Sequence, residues 1–177
     1  MSRRAPRVSQ RIARWRVPLG FVLGAIVLWQ AAPTWPSLFW GASVAAIGEA
    51  IRLWAAGHLE KSREVTRSGP YRFVRHPLYV GTTLMGLGVS IAGGSAVVAL
   101  IVLAYIAITI PAAIRAEEAH LREKFAEAYD AYAQRTSTPM IRRFSLERAI
   151  GNREHHTVAG LIAALALLAL KVQLSLP

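Results

Sequence analysis

The sequence predicts an all-α, polytopic integral membrane protein: about five transmembrane helices plus a cytoplasmic amphipathic helix, in one domain of 177 residues. Three observations carry that prediction. Hydrophobic residue types make up 54% of the chain and charged types 18%, where a soluble domain carries about 25% charged residues. The charges fall in blocks separated by long charge-free runs. Those charged blocks alternate with short uncharged turns, as the positive-inside rule requires. A soluble globular domain and a disordered chain are both excluded by this balance.

At the N-terminus, residues 1–16 hold Arg3, Arg4, Arg7, Arg11, Arg14 and Arg16 with no acidic residue among them, and are predicted as a basic cytoplasmic segment. No formal charge occurs from Val17 to Gly48, and Pro33-Thr34-Trp35-Pro36 divides the apolar stretch into spans at 17–32 and 38–56. A basic segment, 57–77, leads to a second charge-free run that Gly93-Gly94-Ser95 divides into spans at 78–92 and 96–114. Residues 115–155 are polar and mixed in charge; the last span, 157–170, extends through Lys171 towards Leu176. A bilayer core of about 30 Å needs about 20 apolar residues in a helix. Several spans are near the short limit, so interfacial Trp and Tyr or snorkelling Lys and Arg must complete them. Nothing alternates with the period of a barrel strand.

By the positive-inside rule the charged segments are cytoplasmic, and five crossings put the C-terminus on the opposite side. The net charge of +11 is thereby explained by topology and by anionic lipid headgroups, and no nucleic-acid partner is expected. The basic start leading into an apolar run also describes a signal peptide. However, Gln30-Ala31-Ala32-Pro33 offers no clean cleavage site and leads straight into another span, so cleavage is not expected. Cysteine is absent, which removes disulfides, thiolate metal sites and a cysteine nucleophile; no metal site is predicted.

Chemistry concentrates in the two longer cytoplasmic segments. The first contains Ser68-Gly69-Pro70-Tyr71-Arg72-Phe73-Val74-Arg75-His76-Pro77-Leu78-Tyr79-Val80-Gly81. Gly69-Pro70 is a turn signal, and Pro77 suits the first turn of a helix, with His76 at the N-cap boundary. Tyr71, Arg75, His76 and Tyr79 then cluster at the cytoplasmic mouth of the third span. Composition alone reads the cluster as an interfacial belt, which leaves its density of donors and aromatic faces unexplained. In the second segment Leu121, Phe125, Tyr129 and Tyr132 share one helical face, with Arg122, Glu123, Lys124, Glu127 and Asp130 on the other, predicting an amphipathic helix over the membrane surface. Glu117 and Glu118 lie at the seam where the apolar span ends and need cations, from Arg115, Arg75 or a ligand. Within the second span, Glu49 and Arg52 stand at i, i+3 and read as a self-paired couple with Arg52 snorkelling.

Taken together, Gly69-Pro70-Tyr71-Arg72-x-x-Arg75-His76-Pro77-x-Tyr79-x-Gly81 and Glu117-Glu118-x-x-Leu121-x-x-x-Phe125-x-x-x-Tyr129-x-x-Tyr132 resemble the two signatures of the isoprenylcysteine carboxyl methyltransferase family, whose relatives include the phospholipid methyltransferases. The resemblance covers about residues 54–139, roughly half of the chain. It implies a membrane methyltransferase using S-adenosyl-L-methionine at a cytoplasmic pocket, without a Rossmann domain. The matching cofactor contacts are Arg63, Glu64, Val65, Thr66, Tyr71, His76, Pro77, Leu78, Tyr79 and Glu117, and Glu118 completes the paired-acid motif.

Such a cofactor carries a sulfonium, a zwitterion and an adenosine. Tyr71 and Tyr79 offer aromatic faces, His76 a donor, and Glu117 an acceptor for an ammonium or a ribose diol. The implied acceptor is lipophilic and arrives from the bilayer as a prenylcysteine-type carboxylate or a lipid amine. A carboxylate needs only a cation, Arg75 or Arg115; an amine must lose a proton to Glu118 or His76. Two positions depart from the family pattern. Ala126 stands where a glycine is common, a change the helix is expected to absorb, and Ala113 stands where relatives have an arginine. Two further readings compete: an NADPH-dependent reductase of the membrane sterol class, against which the short length argues, and a non-catalytic adaptor binding anionic lipid.

Overall fold

The computed structural model describes residues 7–61, 63–138 and 140–175; Arg3 and Arg4 of the basic N-terminus lie outside them. All regular structure among the described residues is helical, with no strand: α1 (Arg7–Gln30), α2 (Trp35–Ala56), a 3₁₀ turn (Gly69–Arg72), α3 (Pro77–Ala92), α4 (Ala96–Ala133), α5 (Leu146–Gly151) and α6 (Glu154–Leu174). The helix α1 starts ten residues before the predicted span, so the arginines from Arg7 to Arg16 belong to a helix and not to a separate arm.

Among the described residues, α4 and α6 are long and apolar enough to cross a membrane. The stretch Pro18–Gln30 and α3 are shorter apolar helices, and α2 carries Glu49 and Arg52 in its second half. Only 22% and 11% of the most apolar stretches of α4 and α6 are buried. Helices of a soluble core bury such residues, so these present their apolar faces outward, as lipid-facing helices do. Phe21, Trp29, Phe39, Trp40, Leu100 and Ile162 extend that exposed apolar surface.

Helix starts obey local chemistry. At α2 a capping box joins Thr34 and Ser37 (Ser37 N–H to Thr34 Oγ1, 3.2 Å; Thr34 N–H to Ser37 Oγ, 2.9 Å), satisfying donors a helix start leaves free. His76 is the N-cap of α3 with Pro77 in the first turn, as the sequence predicts. The closest packing is the α2–α3 hairpin, where Gly41, Ala45 and Gly48 face Gly81, Gly88 and Ala92. A Cβ at Gly48 would sit 2.6 Å from the Gly81 carbonyl oxygen, and one at Gly88 2.5 Å from the Ala45 nitrogen. Small residues two turns apart let the backbones touch where bulk would hold them apart. At the end remote from the charged segments, Val27, Ala31, Leu38, Ala92, Val98 and Leu168 form the apolar core. There Lys171 donates to the last carbonyls of α1, at Leu28 (3.0 Å) and Trp29 (2.7 Å).

The predicted fourth span and amphipathic helix form one element, α4, broken near its end at Ala126 (φ 40°, ψ −117°). The expectation that an ordinary helix absorbs the alanine is therefore corrected: a residue with a Cβ stands where the backbone has left helical geometry. The break has a purpose. Beyond it Tyr129 is buried and Tyr129 and Tyr132 both reach the cavity wall, while Arg122 Nε lies 3.3 Å from Asp130 Oδ1. Because positive φ costs glycine little and alanine about 1–3 kcal/mol, Ala126→Gly is expected to stabilise the protein by about 1 kcal/mol. Thermal unfolding in detergent measures this; a lower melting temperature would show that the break carries no strain.

Candidate functional site

The loop after α2 is held from outside. Its carbonyls accept from the segment leading into α6: Ala56 and Leu59 from Asn152 Nδ2 (both 2.9 Å), Gly57 from Arg148 Nε (2.9 Å) and His58 from Arg142 Nη1 (3.2 Å). Arg142 also pairs with Glu64 at 2.6 Å. These bonds satisfy the carbonyls that the end of α2 leaves open. Beneath the loop, buried His58 shares a hydrogen bond with Ser68 (Nδ1 to Oγ, 3.1 Å). Burial, with the charges of Arg148 and Arg142, holds its imidazole below the usual histidine range. Gly69 passes under that ring with φ +56°, and a Cβ there would lie 2.5 Å from His58 Cδ2. This is the physical demand behind the Gly-Pro turn.

The 3₁₀ turn places Tyr71 in the interior, and Tyr132 of the broken end of α4 donates to the Tyr71 carbonyl at 2.8 Å. Burial pushes the Tyr71 hydroxyl up, reinforced by the Glu117 charge. Burial pushes Tyr132 up to about 12, so both stay protonated donors. At the start of α3, His76 Nε2 lies 3.1 Å from Glu118 Oε1, which Arg75 approaches to 3.4 Å, while Arg122 reaches Oε2 at 3.5 Å. Burial would raise the Glu118 carboxyl. The hydrogen bond and charge of His76, with Arg75 and Arg122, outweigh it and hold the carboxyl below its ordinary 4.5.

A carboxyl whose folded value is depressed contributes stability that is fully present above its unfolded value and is lost as pH falls through the folded one. The difference in melting temperature between the wild type and Glu118→Gln is expected to be largest at neutral pH and to shrink as the pH falls below the ordinary carboxyl range. A difference that does not change with pH would remove Glu118 from this ionic cluster.

Between the loop, the start of α3 and α4 lies a cavity of about 470 Å³. The loop contributes Glu64, Val65 and Thr66; the 3₁₀ turn and α3 contribute Tyr71, Arg75, His76, Pro77, Leu78 and Tyr79; α4 contributes Glu117. Three residues singled out from the sequence do not line it. Arg63 is exposed and pairs with Glu60 at 3.6 Å, Arg115 faces outward on α4, and Glu118 stands behind His76 and Arg75.

Other wall residues are not distinguished as site residues by the sequence: Glu60, Lys61, His120, Tyr129, Tyr132, Asn152, Glu154 and Arg52. The expected pairing of Arg52 with Glu49 is present only as a long contact, and the closer partner lies on another helix. Arg52 forks onto Glu154 of α6 (Nε to Oε1, 2.7 Å; Nη2 to Oε2, 3.1 Å) and donates to Thr82 Oγ1 (2.5 Å) and Thr157 Oγ1 (3.3 Å). Glu49 remains at 3.9 Å from its Nε. The bidentate partner has the better geometry and takes the short bonds, and the guanidinium turns into the bundle instead of snorkelling. The usable signal was the polar Asn152-Arg153-Glu154 run at the entrance of the last apolar stretch.

A family model described as "Phospholipid methyltransferase" matches residues 36–128, just over half of the chain. The chain is 38% identical over 138 residues to the cobalt-zinc-cadmium resistance protein CzcN of Cupriavidus metallidurans, covering 71% of this chain and 61% of that protein. It is 35% identical over 136 residues to the nickel-cobalt-cadmium resistance protein NccN of Alcaligenes xylosoxydans xylosoxydans, covering 71% and 62%. The chain thus spans about three fifths of the length of these curated relatives. No solved structure matches it.

Proposed function

Because the chain belongs to the phospholipid methyltransferase family, we propose that it is an integral-membrane methyltransferase that uses S-adenosyl-L-methionine and acts on a lipophilic acceptor, either a prenylcysteine-type carboxylate or a lipid amine. One observation carries this reading: Tyr71, His76 and Glu117, from two segments separated by a helical hairpin, line one cavity. In the proposed topology five spans put the N-terminus and this cavity at the cytoplasmic face, against anionic headgroups, with the C-terminus opposite.

The residues fit the cofactor. A cavity of about 470 Å³ is in the range of small-molecule sites, roughly 300–1,000 Å³. Its wall combines aromatic faces (Tyr71, Tyr79) that suit a sulfonium or adenine, carboxylates (Glu117, Glu64) that suit an ammonium or a diol, and cations (Arg75, Lys61) that suit a carboxylate. When bound, the cofactor supplies an electrophilic methyl group. The protein's part is alignment and dryness. The Tyr132–Tyr71 bond closes the broken end of α4 over the cavity, and Glu118 fixes the ring of His76 from behind. For a carboxylate acceptor Arg75 would hold the anion; for an amine, His76 is the group placed to take the proton. The relatives' names extend the proposal to a setting in metal resistance.

The test uses purified protein in detergent, titrated with S-adenosylmethionine and separately with NADPH, then incubation of membranes with the methyl-tritiated cofactor. Saturable binding of the first, with label recovered in an apolar extract, is the expected result. Binding of NADPH alone would replace this reading with a reductase; binding of neither, with salt-sensitive lipid binding, would replace it with an adaptor.

A further inference from the structure

The apolar face of residues 121–132, predicted to lie on the membrane surface, is used inside the protein: Leu121, Tyr129 and Tyr132 line the cavity. A different segment presents apolar side chains beside the last span. Between α4 and α6, Ile141, Phe144, Leu146 and Ile150 are exposed, Ile141 to 98%. Leu146 and Ile150 stand one turn apart on α5, while Ala149 of the same helix is buried. Four large apolar side chains exposed within ten residues mark an interaction surface. Basic charge accompanies them: residues 141–153 hold Arg142, Arg143, Arg148 and Arg153 against Glu147. Arg143 and Arg153 are exposed and have no ion pair among the described residues. Only Asn152 and Arg153 separate α5 from α6, which is long and apolar enough to cross a membrane. Three residue steps span at most about 11 Å, and the headgroup layer adds roughly 5–8 Å to each side of the hydrocarbon core. The end of α6 where α5 joins it is thus within reach of that layer.

From these features we propose that residues 141–150 form a foot on the bilayer surface, docked on anionic lipid, and that this docking holds one wall of the cavity in place. The apolar side chains enter the headgroup boundary, as those of an amphipathic surface segment do, and Arg143 and Arg153 meet lipid phosphates. A second copy of the chain docked there about a two-fold axis would bring the same arginines face to face. The link to the cavity is the clasp on the loop after α2. Arg142 and Arg148 both belong to the foot, and the Ser145 N–H also donates to the Gly57 carbonyl at 3.1 Å. Phe144 covers Gly57 so closely that a Cβ there has no room. The loop held in this way supplies Glu60, Lys61, Glu64, Val65 and Thr66 to the cavity. Lifting the foot from the lipid therefore loosens that wall. The docking stands on the exposed surface alone; its effect on cofactor binding rests on the methyltransferase reading.

Because the chain has no cysteine, Ile141→Cys, Leu146→Cys and Ile150→Cys each accept a single spin label, with Glu127→Cys, exposed on α4, as the aqueous reference. The labelled full chain is placed in nanodiscs of phosphatidylcholine, alone or mixed with phosphatidylglycerol. Relaxation of each label by oxygen, which concentrates in lipid, is compared with relaxation by a water-soluble nickel chelate. On anionic discs the labels at 141, 146 and 150 are expected to favour oxygen, and the label at 127 the chelate. Arg143→Gln, whose bond within the clasp is made by its carbonyl, should weaken docking about fivefold and move the label at 150 towards water. Leu146→Glu, an acid that suits the first turn of a helix, should lift the foot and weaken S-adenosylmethionine binding about fivefold in the same discs. Chelate reaching 141, 146 and 150 as freely as 127 overturns the docking. Labels reached by neither reagent reveal a covering protein, a second copy or a partner, and overturn it too. Equal immersion on neutral and anionic lipid overturns the requirement for anionic headgroups. A lifted foot with unchanged cofactor affinity overturns the link to the cavity, and Arg143→Gln makes that comparison if Leu146→Glu does not fold. A wild type that binds no S-adenosylmethionine sinks the methyltransferase reading and the link with it, while the labels still decide the docking.

Discussion

Arg52→Met is expected to destabilise the bundle by about 3–5 kcal/mol, the cost of removing one partner from a buried ion pair. The side chain of Glu154 is 4% exposed and takes both of its close bonds from Arg52. Glu49 is also buried, and its nearest cation is the same guanidinium, at 3.9 Å. Without Arg52, two carboxylates would share a region with no positive charge to compensate them. Arg52→Lys keeps the charge but loses the fork and the bonds to Thr82 and Thr157, so it should fall between the wild type and Arg52→Met. Adding Glu154→Gln to Arg52→Met should recover part of the loss, because the stranded charge is gone. Unfolding in detergent, monitored by circular dichroism, measures these proteins together with the single variant Glu154→Gln. Additive effects of Arg52→Met and Glu154→Gln would mean that the pair is not coupled, and that α6 is held against α2 by apolar contact alone.

The second large effect is on cofactor binding. Glu117→Ala is expected to weaken S-adenosylmethionine binding at least tenfold, because it removes the carboxylate that α4 presents to the cavity, a charged hydrogen-bonding partner worth about 1.5–3 kcal/mol. Arg115→Ala, two residues earlier on the same helix but facing outward, should leave binding within about twofold. The pair is informative because both charged residues stand on the same turn of α4, and only Glu117 lines the cavity. Isothermal titration of the detergent-solubilised variants decides it. Loss of binding in Arg115→Ala with none in Glu117→Ala would move the site to the other face of α4.

Much of the site was readable because its chemistry is local in sequence. Gly69-Pro70, His76-Pro77 and Glu117-Glu118 each specify a turn, a helix start or a helix seam within a few residues, and the structure puts them at those features. The unreadable part depends on where helices meet. The direction of Arg115, the inward turn of Tyr129 and Tyr132 beyond Ala126, and the clasp of Arg142, Arg148 and Asn152 on the loop after α2 join residues tens of positions apart. Ala126 shows the limit most clearly: a lone alanine in a strongly helical stretch carries no breaker signal, yet the helix breaks there.

By itself the sequence determined the helical class, the alternation of apolar and basic segments, and which stretches carry chemistry. Hydropathy, charge and helix-start rules act over one or two turns and need no partner. The tertiary structure alone decided that Arg52 belongs to Glu154, that α6 forms part of the cavity wall, and that Arg115 stands apart from it. Those outcomes turn on competition between distant partners for the same buried charge or surface, and the winner is set by three-dimensional geometry that no local pattern encodes.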